Sequence, residues 1–191
     1  MKSTEIKTIK ELLYWSYANL AMAHSAIESG SGQFNRTHFI IRNRLFSGLM
    51  KGTMKIGSLI DDEKIKIKNS DRCCYCGILA PLTVDHLIPQ AKGGAHSGDN
   101  SVWACQSCNS SKGKKDLLEW LEQKGRFPAL FLLRRYLKIA INFCTENDLM
   151  EKGHNDNFEL PFSINKIPTK YPSPTEMTLY YDNGITGHTK G

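Results

Sequence analysis

The chain has 191 residues, of which 40% are hydrophobic and 23% charged, so it is long enough to bury a core and is composed like a globular protein. Its net charge of +6 and pI near 9.0 favour a polyanionic partner, although excess lysine also serves to keep a surface soluble. No segment approaches the roughly 18 consecutive apolar residues of a membrane span, so we expect no membrane partner.

Two amphipathic helices are predicted near the N-terminus. Apolar residues recur with a helical period over residues 5–28 and again over residues 37–54, where Gly48 and Gly52 weaken the pattern. Charged residues interrupt the first stretch, so it lacks the apolar core of a secretory signal, and we expect a cytoplasmic location. Residues 1–64 are therefore predicted to form an N-terminal helical region.

The segment between Arg36 and Arg72 is net basic and leads into a cluster of cysteines. Such a charge indicates either a surface that faces nucleic acid or an ordinary solvated helix face. The sequence favours neither interpretation over the other.

Five of the six cysteines fall into two tight clusters, which is not the scattered pattern of a disulfide framework. Cys73 and Cys76 form one C-x-x-C pair, and Cys105 and Cys108 form a second. This spacing lets four thiolates share a tetrahedral Zn²⁺ with Zn–S distances of about 2.3 Å. A site closed by four thiolates leaves no open coordination position, so the predicted zinc is structural.

The other two cysteines are predicted not to bind metal. Cys74 has a poorer chelating spacing to Cys76 and is interpreted as a bystander thiol. Cys144 lies in an apolar helical stretch, where a cysteine is usually a small core residue.

Helices are predicted again downstream of the cysteines, over residues 117–150. The stretches "KDLLEWLEQKG" and "PALFLLRRYLKIAINFC" have a helical period and are separated by Gly125 and Pro128. Residues 151–191 are rich in Asn and Pro, and we expect an extended tail, draped over the body or partly disordered. Three arginines in or beside these helices are candidates to follow a DNA backbone, although exposed arginines need no such role: Arg126, Arg134 and Arg135.

The segment between the two cysteine pairs is longer than the roughly 15 to 20 residues of a plain zinc ribbon. It contains Asp85, His86 and Asn100, while Asn109 follows the last cysteine directly and Lys112 comes one helical turn later. Neighbouring residues on a strand point to opposite faces, so Asp85 and His86 need a strand end or a bulge to converge on one phosphate.

The motifs "CCYCG", "VDHLIPQAKGG" and "DNSVWACQSCNSSKG", in this order, resemble those of the HNH endonucleases, a branch of the His-Me finger nucleases. The resemblance implies an α+β protein with a small ββα-metal core over residues 65–116. That core would carry the structural zinc and be flanked by N- and C-terminal helices.

The resemblance assigns a role to each polar residue of these motifs. His86 matches the general base, and Asp85 matches a ligand of a catalytic divalent ion, Mg²⁺ or another. Asn100 matches the residue that orients the histidine and fixes the loop. Asn109 occupies the third position, where its oxygen is a further candidate ligand and suits Mg²⁺.

Four more residues lie close to these motifs. We expect Lys112, Lys114 and Lys115 to contact nucleic acid. His96 is a candidate second base or phosphate contact, but we favour a mobile loop histidine.

The resemblance implies a metal-dependent endonuclease that cuts or nicks DNA and leaves a 5′ phosphate and a 3′ hydroxyl. The flanking helices are similar to those of small HNH nucleases in bacterial antiphage systems such as Zorya, which implies a role in defence with protein partners. The alternative is a non-catalytic zinc-finger module that binds DNA or acts as a scaffold.

Overall fold

The computed structural model describes residues 5–68 and 70–181. Its first helix, α1 (Ile9–Glu28), occupies the predicted N-terminal stretch. A capping box starts it, because the Thr8 hydroxyl accepts a hydrogen bond from Glu11 N at 3.1 Å and the Glu11 carboxylate accepts one from Thr8 N at 3.0 Å. The helix packs against α2 (Arg36–Met50) and α6 (Leu130–Glu146).

Helix α2 begins at a cap formed by Asn35, whose Oδ1 accepts from Thr37 N at 2.9 Å. It ends before the predicted residue 54, because Gly52 adopts a positive φ of 71° and turns the chain. Arg42 of α2 is buried, with its guanidinium 4.5 Å from the centre of the Trp15 ring. Arg42 of the basic segment therefore packs against α1 and does not face solvent, whereas Arg44 is exposed.

Helix α3 (Leu59–Lys68) lies in the basic segment and begins inside the predicted N-terminal helical region, although no apolar period in the sequence marked it as a separate helix. It is joined to α6 through Asp62, which is fully buried and accepts hydrogen bonds from Arg134 at 2.6 Å and Lys138 at 2.7 Å. Arg135 is also buried, at 0% exposure. Arg134 and Arg135, two of the candidates to follow a DNA backbone, instead place their guanidinium groups in this junction, against Asp62 and Glu63 of α3.

Strands β1 (Leu82–His86) and β2 (Ser101–Cys105) pair antiparallel as a two-stranded sheet. The register is regular to the end of β1, where His86 lies opposite Ser101. Helix α4 (Gln106–Lys112) begins directly after β2 and packs against both strands. The predicted ββα unit inside a mixed α+β protein is thus confirmed.

Helices α5 (Leu117–Gln123) and α6 supply much of the core, including Trp120 and Tyr136 at 2% exposure or less. Residues 151–181 are extended, with single-turn 3₁₀ helices at Ile164–Lys166 and Pro174–Glu176. Carbonyls of Thr178 and Leu179 accept hydrogen bonds from the first amides of α6, which would otherwise lack partners.

The described part of this tail therefore lies against the body, and the rest of the predicted tail, residues 182–191, is outside the described residues. Within the described ranges, no helix combines the length and apolar character needed to cross a membrane.

Candidate active site and metal centre

The two predicted cysteine pairs come together in one cluster. Cys73 and Cys76 lie on a tight turn that is closed by a hydrogen bond from Gly77 N to Cys73 O at 2.8 Å. Cys105 ends β2 and Cys108 lies in the first turn of α4.

The four sulfur atoms all lie within 4.8 Å of one another, and the Cys76 and Cys105 sulfurs are 3.9 Å apart. A tetrahedral site with metal–sulfur bonds of about 2.3 Å places its sulfurs about 3.8 Å apart, so the cluster fits a bound metal ion.

The two cysteines predicted as bystanders lie outside this cluster. Cys144 is completely buried in α6, and burial raises the pKa of its thiol to about 11. Burial and the neighbouring Cys73 raise the pKa of the Cys74 thiol well above its ordinary value. Neither thiol is therefore among the candidate ligands of this cluster.

Asp85 points into the protein from β1, with 6% of the residue exposed. Its Oδ2 accepts a hydrogen bond from the Tyr75 hydroxyl at 2.8 Å, and its Oδ1 accepts one from His86 N at 2.8 Å. Lys112 Nζ lies 3.2 Å from the same Oδ1. Both carboxylate oxygens therefore have protein donors, and Asp85 and His86 do not converge through a bulge.

Lys112 is buried, whereas a lysine that contacts a phosphate of DNA has to be exposed. Its side chain is 0% exposed, and its ammonium group contacts Asp85 and donates to the backbone oxygen of His86. The expectation of a nucleic-acid contact from Lys112 is corrected accordingly: α4 packs on the sheet, so a residue on its inner face points into the hairpin. Lys114 and Lys115 follow the helix and are exposed.

Asn100 fixes the loop between the strands. It is 1% exposed, its Oδ1 accepts from Ile88 N at 2.9 Å, and its Nδ2 donates to Ile88 O at 2.8 Å and Ala95 O at 2.9 Å. Its backbone oxygen accepts from Leu87 N at 2.9 Å. Asn100 thus holds the two residues that follow His86, and its side chain makes no hydrogen bond to the His86 ring in the described structure.

Asn109 lies on α4 beside the middle of β1. Its Nδ2 donates to Thr83 Oγ1 at 2.8 Å and to Val84 O at 3.3 Å. These bonds orient the amide so that its oxygen, the candidate ligand atom, is turned away from the strand. Asn109 is only partly buried, which keeps that oxygen within reach of solvent.

His86 is the last residue of β1, and its side chain is partly exposed. Its Nε2 lies 3.0 Å from Nδ1 of His96, with ring centroids 5.2 Å apart and planes inclined by 43°. Burial, and then the neighbouring His96, lower the pKa of His86 below its ordinary value. His86 is therefore neutral at neutral pH, which is the state a proton acceptor needs.

Three residues that the sequence did not mark in these roles take part in the site. Tyr75 holds Asp85, His96 contacts His86, and Arg135 reaches the loop that carries His96 by donating to Gly98 O and Asp99 O. For Tyr75 the sequence offered one signal, its position inside "CCYCG". A residue between two metal ligands is held in place by them.

Residues 73–115 match the family model described as HNH endonuclease. This segment is an HNH domain, and it coincides with the turn at residues 73–76, which we call the knuckle, with the β1–β2 hairpin and with α4.

Among known proteins, the chain is similar to the CRISPR-associated endonuclease Cas9 of Corynebacterium diphtheriae, with 36% identity over 55 residues. The match covers 26% of this chain and 5% of the length of that much longer relative. No solved structure matches the chain significantly. The domain belongs to a family of nucleases.

Proposed function

We propose that the protein is a metal-dependent endonuclease that hydrolyses phosphodiester bonds of DNA. The observation that carries this proposal is His86: a neutral, partly exposed imidazole at the end of β1, within a segment that matches the HNH endonucleases. A histidine of this kind accepts a proton from water at neutral pH, which makes the water a better nucleophile toward phosphorus.

The site around His86 favours this reaction because its backbone is fixed. Asn100 bonds the backbone at Ile88, and Lys112 bonds the backbone oxygen of His86 itself. A base held in place needs no reorganisation before the proton moves, so more of the barrier is removed by positioning.

Two metal ions are part of the proposal. Zn²⁺ is assigned to Cys73, Cys76, Cys105 and Cys108, where it holds the knuckle to β2 and α4. Asp85 and Asn109 provide oxygen donors, which suit Mg²⁺ or another hard divalent ion. The Lys112 ammonium lies 3.2 Å from Oδ1 of Asp85, so an ion held by Asp85 would be bound beside this positive charge. Such an ion, when bound, neutralises charge that builds up on the phosphate.

The substrate class is assigned from charge and from the family. The chain carries a net charge of +6, and Lys114 and Lys115 are exposed just beyond the end of α4. Lysines at such positions bind phosphates and fix the register of the duplex. The likeness of the flanking helices to those of antiphage nucleases supports a role in bacterial defence, with other proteins of that system as partners.

One observation favours a second function, that of a non-catalytic zinc module which binds DNA or acts as a scaffold. Both oxygens of Asp85 accept hydrogen bonds from the protein, so this carboxylate is satisfied without a catalytic ion. Under this alternative the cysteine cluster and the basic charge remain meaningful, and His86 has no chemical role.

Incubation of the purified protein with supercoiled plasmid separates the two functions. The nuclease predicts relaxed or linear DNA with Mg²⁺ and unchanged plasmid with EDTA. The binding module predicts a shift of the plasmid in a gel under both conditions, with no broken strand in either. Zinc content is measured in parallel, because EDTA must not be allowed to unfold the protein by removing the structural ion.

A further inference from the structure

We propose that His96 positions the catalytic histidine: it accepts a hydrogen bond from Nε2–H of His86 and thereby leaves Nδ1 of His86 as the unprotonated nitrogen. This inference rests on the proposed function, in which His86 is the base. The contact itself is direct, since Nε2 of His86 and Nδ1 of His96 are 3.0 Å apart.

The tautomer follows from the number of protons. A neutral imidazole carries one N–H, and the partner of one ring nitrogen decides which nitrogen carries it. If His96 donated to Nε2 of His86, the proton of His86 would lie on Nδ1, and the nitrogen facing away from His96 could not accept another. Only the arrangement in which His86 donates leaves a free lone pair for water.

His96 takes a role that the motif assigned to Asn100. The Asn100 amide is used at Ile88 N, Ile88 O and Ala95 O, so it has no hydrogen left for the ring of His86. Among the described residues, His96 is the one whose side chain is hydrogen-bonded to that ring. The two tasks of holding the loop and orienting the base are therefore divided between Asn100 and His96.

The loop that carries His96 is anchored from outside the HNH domain. Arg135 of α6 donates to the carbonyls of Gly98 and Asp99, and Lys66 of α3 donates to Gly98 O at 3.1 Å and Ser101 O at 3.4 Å. Arg135 is fully buried, and its NH2 is paired with Glu63 of α3 at 2.7 Å. Although His96 is exposed, the loop backbone two and three residues after it is held by α3 and α6, so the regions that flank the HNH domain contribute to the site.

Substitution of His96 by Asn or by Leu tests the proposal, because Asn places an amide oxygen near the position of Nδ1 while Leu offers no acceptor. Nitrogen-15 chemical shifts of the histidine rings report the tautomer whether or not the protein cleaves DNA. We expect His86 to carry its proton on Nε2 in the wild type and in His96→Asn, and to populate both tautomers in His96→Leu. His24→Asn, which removes a histidine from α1, serves as the matched control.

Cleavage rates supply the second readout. We expect single-turnover cleavage by His96→Leu to fall by roughly 10- to 100-fold at saturating DNA with unchanged KM, and His96→Asn to recover most of the rate. The proposal is overturned if His96→Leu keeps the Nε2–H tautomer of His86, or cleaves as fast as the wild type. If the tautomer responds as expected but the wild type cleaves no DNA, the positioning stands and the nuclease assignment fails.

Discussion

The ammonium group of Lys112 lies 3.2 Å from Oδ1 of Asp85, in an interior where the two side chains are 0% and 7% exposed. The pair joins α4 to β1 at the residue before the proposed base. Removing one partner of a buried ion pair leaves the other charge without compensation, and that is far more costly than losing a surface pair. Lys112 is therefore first a structural residue of the ββα unit.

Replacing Lys112 by Met should lower the free energy of unfolding by about 3 to 5 kcal/mol, because the Asp85 carboxylate stays buried without a counter-charge. Urea denaturation at neutral pH measures the change. Lys114→Met is the matched control, since Lys114 is exposed and should change stability by no more than about 0.5 kcal/mol. Equal stability of the two variants would show that the Asp85–Lys112 contact carries little energy.

Removal of the structural metal should unfold the knuckle. We expect the purified protein to contain one zinc ion per chain and Cys105→Ser to lose it, with a large drop in melting temperature. Cys144→Ala removes a buried thiol that lies outside the cluster and should keep the full zinc content. Elemental analysis and thermal melting of the two variants test whether the cluster binds a structural zinc ion. A wild-type protein that is free of metal but fully stable would contradict a structural role for zinc.

Two neighbouring arginines of α6 bond different parts of the structure, so their substitution distinguishes the loop that carries His96 from the junction between α3 and α6. Arg135 bonds the carbonyls of Gly98 and Asp99, whereas Arg134 bonds Asp62 of α3. We expect Arg135→Gln to accelerate amide hydrogen exchange at Ser101, whose N–H is bonded to Gly98 O, and Arg134→Gln to leave that rate nearly unchanged. Hydrogen exchange read by mass spectrometry tests this, and equal acceleration by both substitutions would rule out a specific anchor.

Asp116 gives the stability a defined pH dependence. Burial raises the pKa of its carboxyl above the ordinary 3.8, and hydrogen bonds from Tyr136 and from Leu118 N offset only part of that rise. The folded state therefore holds this proton at pH values where the unfolded state has released it, so the contribution of Asp116 to stability falls as pH rises from about 3.8 through the folded pKa.

Asn at position 116 still caps α5 but does not titrate. The stability of the wild type minus that of Asp116→Asn should therefore decrease as the pH rises above about 3.8, in zinc-saturated protein. Chemical denaturation at several pH values provides the difference. A difference that stays constant or grows with pH contradicts the raised pKa.

Features encoded by spacing could be predicted from the sequence. The doubled C-x-x-C pairs predict the cysteine cluster, and the apolar periods predict α1, α2, α5 and α6. Both signals are local, because a tight turn or a helix brings residues two to four positions apart to the same side.

Features that depend on distant contacts could not be predicted in this way. Lys112 follows Asp85 by 27 positions, and Arg135 follows Gly98 by 37, so no short pattern records that these side chains meet. The same limit applies to His96, which the sequence marks as a candidate second base or phosphate contact, or as a mobile loop histidine, without indicating that it meets His86. Its contact with His86 exists because α3 and α6 hold that loop against the end of β1.

His86 is the proposed base of a DNA-cleaving site, and the cleavage rate of His86→Ala tests this role. Wild type, His86→Ala and the control His24→Ala are compared on supercoiled plasmid with Mg²⁺, after their zinc content and helical circular dichroism have been matched. We expect His86→Ala to cleave roughly 10² to 10⁴ times more slowly and His24→Ala to cleave normally. Cleavage by His86→Ala at the wild-type rate would contradict it.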